Sequence, residues 1–531
     1  MSELTKLINV NFEDLTSYAT DTGSDVLGCP IEHCWGPSNR RLVLSLDSFL
    51  NFYPEAFPVG APSSKTTDYM YGWAQVRRAF KAGIPAAEVV RAQGGWEFVQ
   101  WNLSVTDDVF ALTATEATTQ FSDALTDLMS IAFKYAGRPP RIGAYSELVG
   151  FNLYVSLYPL GEDADINITI KGILADASEV LLESHDGRFN TEALLDGRSY
   201  YIKDVLERDS LLLECQINDD FDLPTVLTAL DAEAPEFLFP TALGGDDFED
   251  VVNEFYPDID TSVATLLVAP LNGDSTINAA LASIASSRKN CNFVLGFPSV
   301  TPLTRENVEA YITSSVPSAT YDMFTNFVVG QEIYKVLGRP MYLDCTAAWC
   351  GLCAKVAKNV KINQLPSAKA YGSFDGVLTA TLSFEDVLAL HELNVISVYT
   401  SSTGARIFGV RSRHPRVTSY FSKANVMRVL ARFLRDVFPE CLNVIHTEVV
   451  SDATQRAKFS SVLNKIVDSY ISSGNLNPAS TVDVSDKVNS DAQTSGGEIL
   501  NIVFTLWTKK LTEKINIKIS VTDSSVTTNL S

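Results

Sequence analysis

At 531 residues the chain is long enough for two to four domains with sizeable cores. Its apolar fraction of 46% is ordinary for a globular protein, and a net charge of −23 argues against binding nucleic acid or an anionic membrane through the overall field. No stretch reaches the roughly 18 apolar residues of a membrane helix, no signal peptide opens MSELTKLINVNFEDL, and the eight cysteines are too thinly spread for a disulfide framework, so a cytosolic origin is expected. The charge is uneven. Residues 401–440 carry Arg406, Arg411, Arg413, Arg416, Lys423, Arg428, Arg432 and Arg435 against Asp436 and Glu440. Residues 241–260 carry Asp246, Asp247, Glu249, Asp250, Glu254, Asp258 and Asp260 with no base. A chain basic in one place and acidic in another can complement copies of itself.

Taken in order, residues 1–22 have no helical period and read as an extended arm. Val26 to Phe52 gives a strand, a Trp35-Gly36-Pro37 turn, the strand RRLVLSL and a short helix holding Phe49 and Phe52. Asp68–Phe80 reads as a helix and Ala86–Ala92 as a strand. In Thr119–Tyr135, Phe121, Leu125, Leu128, Met129, Ala132 and Phe133 fall on one side of a helical wheel, which predicts an amphipathic helix. Residues 151–240 are strand-rich, with alternation in Asn152–Tyr158 and Ile166–Ile173. Beyond an acidic Gly244-Gly245 loop come a helix at Phe248–Phe255, the buried strand TSVATLLVAP, the helix INAALASIASSRK and the buried strand CNFVLGFPS. This β-α-β order predicts a parallel α/β layer. A helix at Arg305–Thr313 and the apolar FTNFVVGQEIY follow.

From Leu393 the chain reads as a strand, a Ser401–Gly404 turn, the strand ARIFGVR, a basic loop and the helix SKANVMRVLARFLRDVF. Val426, Val429, Leu430, Phe433 and Val437 share one helix face, and Lys423, Arg428, Arg432 and Arg435 take the other. Ala457–Ile471 is a further helix. Thr481–Ser485, Glu498–Trp507 and Glu513–Val521 alternate as strands, and Thr522–Ser531 reads as a polar tail.

Four of these segments resemble contractile tail sheath proteins, in the same order. They are the Gly36-Pro37 region, DGRSYYIKDV with Gly197, Ser199, Tyr201, Ile202, Val205 and Ser210, the α/β layer with Arg288, Lys289, Cys291 and Pro298, and the hairpin GARIFGVR with its helix and final strands. The resemblance implies an α/β and α+β multidomain fold. Its parts would be an arm (1–22), a layered central α/β domain (23–100 and 241–385), a β-rich insertion (101–240) and a C-terminal α+β assembly domain with a strand arm (386–531). It also implies a non-enzymatic subunit without cofactor or metal. The subunit would form stacked six-fold rings around a tail tube, contact baseplate and tail terminator or neck proteins, and contract to drive the tube through a host envelope. The place would be the virion tail, assembled in the host cytoplasm, or a related non-phage injection system. Nucleic acid and membrane insertion are not expected.

By the same resemblance the arms pair with neighbouring subunits by β-augmentation. The donated residues would be Ile8, Val10 and Phe12 at one end and Ile515, Ile517, Ile519 and Val521 at the other. The receiving hairpin would use Ile396, Val398, Gly404, Ile407, Phe408 and Gly409, in a sheet shared with Glu498–Trp507. Arg428, Arg432, Arg435, Lys458 and Lys465 would face the tube.

The competing chemistry is Trp349-Cys350-x-x-Cys353 opening a helix after a strand, as thioredoxin-like oxidoreductases do. Such a unit needs a preceding βαβ and a proline loop roughly 40 residues on. Pro366 and Pro415 stand in neither place. Cys350 and Cys353 then read as small residues packing a helix. Zinc at Cys29, His33 and Cys34 lacks a second ligand pair, and the acidic run lacks the ligand order of an EF-hand.

Overall fold

The computed structural model describes residues 25–33, 36–37, 40–54, 70–92, 98–106, 109–117, 121, 128–135, 148–160, 163–174, 176–218, 230–233, 237–238, 248–257, 262–271, 273–317, 319–336, 339–367, 371–417, 419–443, 453–485, 502–508, 517–522 and 525–530. Its strands, in chain order, open with β1 (Val26–Ile31), β2 (Arg41–Leu44) and β3 (Ala86–Arg91). An inserted unit supplies β4 (Phe98–Thr106), β5 (Val109–Ala117), β6 (Met129–Phe133), β7 (Leu148–Leu160), β8 (Asp163–Leu174), β9 (Glu179–Arg188), β10 (Leu194–Leu195), β11 (Arg198–Ser199), β12 (Leu213–Ile217), β13 (Leu230–Glu233) and β14 (Phe237–Leu238). Then come β15 (Leu266–Val268), β16 (Asn292–Gly296), β17 (Thr325–Val329), β18 (Gln331–Val336), β19 (Arg339–Asp344), β20 (Val377–Leu378), β21 (Val395–Ser401) and β22 (Gly404–Phe408). The chain closes with β23 (Thr481–Asp483), β24 (Val503–Thr505), β25 (Ile517–Thr522) and β26 (Ser525–Leu530). The helices are α1 (Leu46–Phe52), α2 (Tyr71–Ala82), α3 (Ile202–Asp209), α4 (Phe248–Phe255), α5 (Ser275–Arg288), α6 (Arg305–Ser315), α7 (Thr346–Asn359), α8 (Phe384–Glu392), α9 (Ala424–Leu442) and α10 (Ala453–Ser472).

The central sheet has the order β2-β3-β1-β15-β16-β17-β21-β22. Strands β3, β1, β15, β16, β17 and β21 run parallel, and the two outer strands are antiparallel. Every residue of β1, β3 and β17 is buried, as expected when helices cover both faces of a parallel sheet. The helix starts are set locally. Asp274 accepts from the Thr276 and Ile277 amides at the head of α5, and Thr304 accepts from Asn307 at the head of α6. The parallel layer read from the β-α-β spacing is present.

Between β3 and β15 the chain leaves this sheet and builds a β unit with its own core. One of its sheets has the order β12-β6-β4-β5, and another is built on β13, β7, β8 and β9. In β8, Ile166, Ile168 and Ile170 are buried while Asn167 and Thr169 are half-buried, the alternation of a sheet covered on one face. The helix expected over Thr119–Tyr135 is corrected. Met129–Phe133 is strand β6, lying between β4 and β12 and buried at all five positions. A strand covered on both faces has no alternation, so its apolar run also satisfies a helical wheel. Of the remaining residues of that stretch, 119–120 and 122–127 lie outside those described.

A three-stranded sheet, β19-β18-β20, packs beside α2. Helices α2 and α7 cross closely because α7 has Gly351 at the contact. A Cβ there would stand 2.5 Å from the Ala79 carbonyl oxygen and 2.5 Å from the Ala82 Cβ. Cys350, Cys353 and Ala354 lie buried in the same hydrophobic core. Gly351→Val is expected to lower stability by about 1–3 kcal/mol through overpacking, read as a fall in the calorimetric unfolding midpoint with secondary structure retained at 20 °C.

Candidate assembly surfaces

The hairpin β21–β22 closes one side of the central sheet, and its apolar residues point into the cores. Ile396, Val398 and Ile407 are fully buried. Phe408 is half-buried, with its ring 5.8 Å from Phe384 and 5.3 Å from His391. Gly404 (φ 106°) makes the turn. Gly409 (φ 127°) lets the backbone pass Ile396, whose Cα would be 2.8 Å from an added Cβ. The outer edge of β22 is occupied by Gly372–Phe374. Ile407 N–H donates to the Gly372 carbonyl (2.8 Å), and Phe374 N–H donates to the Ala405 carbonyl (3.1 Å). The expectation that this hairpin offers an open edge to a neighbour is therefore corrected, because the chain's own loop takes those hydrogen bonds. Nor, among the described residues, does it share a sheet with Glu498–Trp507. Of that stretch Val503–Thr505 forms β24, which pairs with β23 in a separate two-stranded sheet over α10.

The basic face of α9 is also corrected. Arg428 and Arg432 are 3% and 4% exposed, and Lys423 is buried as well. Arg428 Nη2 donates to Asp25 Oδ2 at 2.6 Å, and Asp25 is itself 5% exposed. Arg435 is half-buried and donates to the Val263 carbonyl. These arginines are internal because α9 is covered on both sides. Ala424 and Met427 enter the cores on either face of the sheet, and Val429, Phe433 and Val437 enter the core made with α10. Asn425, Met427 and Ala431, interleaved among the arginines, are the sequence signal for this burial. Lys458 and Lys465 on α10 are exposed and stay available to a partner.

A second set of buried charges holds α2 to the later strands. Arg78 Nε pairs with Glu332 at 2.9 Å, and Arg78 Nη2 reaches Asp375 at 2.7 Å. Burial raises the Glu332 carboxyl to about 7 in spite of Arg78. Asp344 accepts from Tyr71, Gln75, the Thr346 amide and the Thr346 hydroxyl. Across the sheet, Glu88 accepts from Ser262 and the amides of Val263 and Ala264, while Arg288 donates to the carbonyls of Tyr256, Ser262 and Ala264. These groups tie segments distant in sequence together. Of them, only Arg288 stands out in the sequence, and there as part of a helix-end pattern and not as a buried charge.

The cysteine pair is placed as the packing alternative required. Cys350 and Cys353 are fully buried free thiols. Burial pushes Cys353 up to about 12 and raises Cys350 strongly. Cys350 is the fifth residue of α7, beyond the first turn whose amides would favour a thiolate.

At the chain's end, Ile517, Ile519 and Val521 lie in β25, which pairs with β26. The polar tail is thus corrected at Ser525–Leu530, which is strand. Ile8, Val10, Phe12 and Ile515 lie outside the described residues. So do residues 1–22 as a whole, Cys34, Trp35 and the Gly244-Gly245 loop. Among the described residues no helix is long and apolar enough to cross a membrane.

No family model and no curated protein matches the sequence. Solved structures do. The sheath tail protein from Listeria innocua aligns over 93% of this chain and 98% of its own, at TM-score 0.54 and 10% identity. This chain has the fold of that sheath tail protein. The sheath tail protein from Desulfitobacterium hafniense aligns over 87% and 90%, at TM-score 0.49 and 11% identity. The sheath complex of an extracellular contractile injection system, in its contracted state, aligns over 51% and 75%, at TM-score 0.42 and 15% identity. The mixed α/β multidomain fold expected from the sequence is the one observed, and it is shared with that sheath tail protein from Listeria innocua.

Arg428→Ala is expected to cost about 3–5 kcal/mol, since it strands the Asp25 carboxylate in the interior. The pair Arg428→Met with Asp25→Leu should recover most of that loss. Lys458→Ala and Lys465→Ala should each change stability by less than about 0.5 kcal/mol. Calorimetric unfolding of the four variants checks all three. In a separate test, alkylation at pH 8 of the folded chain, followed by mass spectrometry, should modify Cys350 and Cys353 at least about tenfold more slowly than in urea.

Proposed function

We propose that this chain is the structural subunit of a contractile tail sheath. The observation that carries the reading is the end-to-end match of fold with the Listeria innocua sheath tail protein. The order of the four resembling segments along the sequence supports it independently. In this reading, copies form six-fold rings stacked helically around a tail tube. They contact baseplate and neck components at the ends, assemble in the host cytoplasm, and contract to drive the tube through the host envelope. Phage tails and related injection systems both fit.

Linkage between copies follows from main-chain chemistry. Residues 1–22 and 513–521, with Ile515, Ile517, Ile519 and Val521, are donated to neighbours, where backbone hydrogen bonds hold while rigid bodies rotate. With the outer edge of β22 occupied, the β23–β24 sheet is the better receiver. Among the described residues no other strand pairs with either of its members. Exposed Val503 and Trp507 beside it would be covered by an added strand. Lys458 and Lys465 are the remaining tube-facing candidates. Exposed charge contacts are worth roughly 0–1 kcal/mol each, which suits a surface that must let go of the tube.

Deleting residues 1–20 is expected to leave a folded monomer, with its unfolding midpoint unchanged, that sediments as a single species where the full chain forms large polymers. Polymers of equal size from the deletion would remove the arm from the account.

A further inference from the structure

We infer that the loop His414–Phe421 is a docking surface for a second copy of this chain, and that it receives the acidic outer face of that copy's helix α4. The inference deepens the polymer reading above and rests on it. The loop follows β22 and lies at the start of β17 and β21. Arg413 N–H donates to the Thr325 carbonyl (2.9 Å), and Asn394 Nδ2 donates to the His414 carbonyl (3.0 Å). From inside, the Ser422 hydroxyl contacts the carbonyls of Val417 (2.8 Å) and Ser419 (2.7 Å), and the Ser412 hydroxyl donates to the Phe421 carbonyl (2.7 Å). The described part of the loop is therefore held in place before anything binds, which lowers the ordering cost of an interface.

Its outer side is unusual for a soluble surface. Val417, Tyr420 and Phe421 are 39%, 49% and 44% exposed within five residues. Beside them Arg416 is exposed, and among the described residues no carboxylate pairs with it. His414, Pro415, Arg416, Ser419 and Phe421 line an open cavity of about 500 Å³. Aromatic side chains around an arginine form the composition found at the centres of protein interfaces. The exposed charge of Arg416 calls for an acidic occupant.

Helix α4 supplies one. Phe248, Val251 and Val252 are buried, so Glu249, Asp250 and Glu254 stand on the exposed side. The two surfaces do not meet within one copy. Helix α4 lies over β1, and β1-β15-β16-β17-β21 spans four strand spacings, roughly 19 Å. Two different patches meeting between copies make a head-to-tail contact, the kind that generates rings and helices.

The test is self-association of the full chain by sedimentation velocity at low and high salt, with electron microscopy of the same samples. The wild type should associate in a salt-sensitive way. Arg416→Glu should raise the concentration of half-association about tenfold or more, and Phe421→Ser should weaken association without a change of charge. Adding Glu249→Arg and Glu254→Arg to Arg416→Glu should bring the value back within about threefold of wild type. A wild type that stays monomeric overturns the docking surface, as does Arg416→Glu associating like wild type, or a triple variant no better than the single one. Salt-sensitive oligomers that are lost in Arg416→Glu but never form tubes support the surface and count against the sheath reading. Tubes that form equally well with Arg416→Glu support the sheath and overturn the surface.

Discussion

A buried ion pair joins the first strand of the central sheet to the helix that closes it. Arg428 and Asp25 are 403 residues apart in sequence and 2.6 Å apart in space, both almost wholly removed from water. Neither charge is tolerable there without the other. Asp25 directly precedes β1, the strand that the parallel sheet needs between β3 and β15. Arg428 lies on α9, the helix that enters three separate hydrophobic cores. The pair thus sets where the chain enters the sheet relative to the helix that closes it.

The same solution recurs across the sheet. Glu88 and Arg288 hold opposite polar groups of the 262–264 loop ahead of β15, and Asp344 gathers α2 and the start of α7 into one site. A sheet assembled from strands scattered over nearly 400 residues gains little from local propensity, so long-range polar contacts specify its register. The result is a body cross-linked by buried polar contacts. On the proposed reading, such cross-linking is what a sheath subunit needs. Motion belongs to the exchanged strands and to weak surface contacts, while the body rotates as one piece.

Much of this is legible in the sequence. The runs TSVATLLVAP and CNFVLGFPS flanking INAALASIASSRK can be little else than a parallel β-α-β unit, and GARIFGVR with its helix emerges as a hairpin and helix. What stays hidden has common causes. Met129–Phe133 is buried on both faces, and periodicity alone does not separate such a strand from a helix. Arg428 and Arg432 read as a solvated face, since a helical wheel records which residues share a side but not how many sides are covered. The occupied edge of β22 depends on Gly372–Phe374, a short stretch with no strand pattern of its own. Ser525–Leu530 is polar, and it becomes a strand through pairing with its neighbour. The cysteine pair shows the reverse case, a motif whose spacing points to chemistry and whose complete burial in the core makes it packing.

The claim at the centre is that this chain polymerises as a sheath through strands donated between copies. The most direct measurement is electron cryomicroscopy of the polymer formed by the purified full-length chain, with helical reconstruction. The account predicts striated tubes of uniform width built from six-fold rings, in which a terminal strand of one copy extends the β23–β24 sheet of another. Dispersed globular particles under every condition that keeps the protein folded would contradict it.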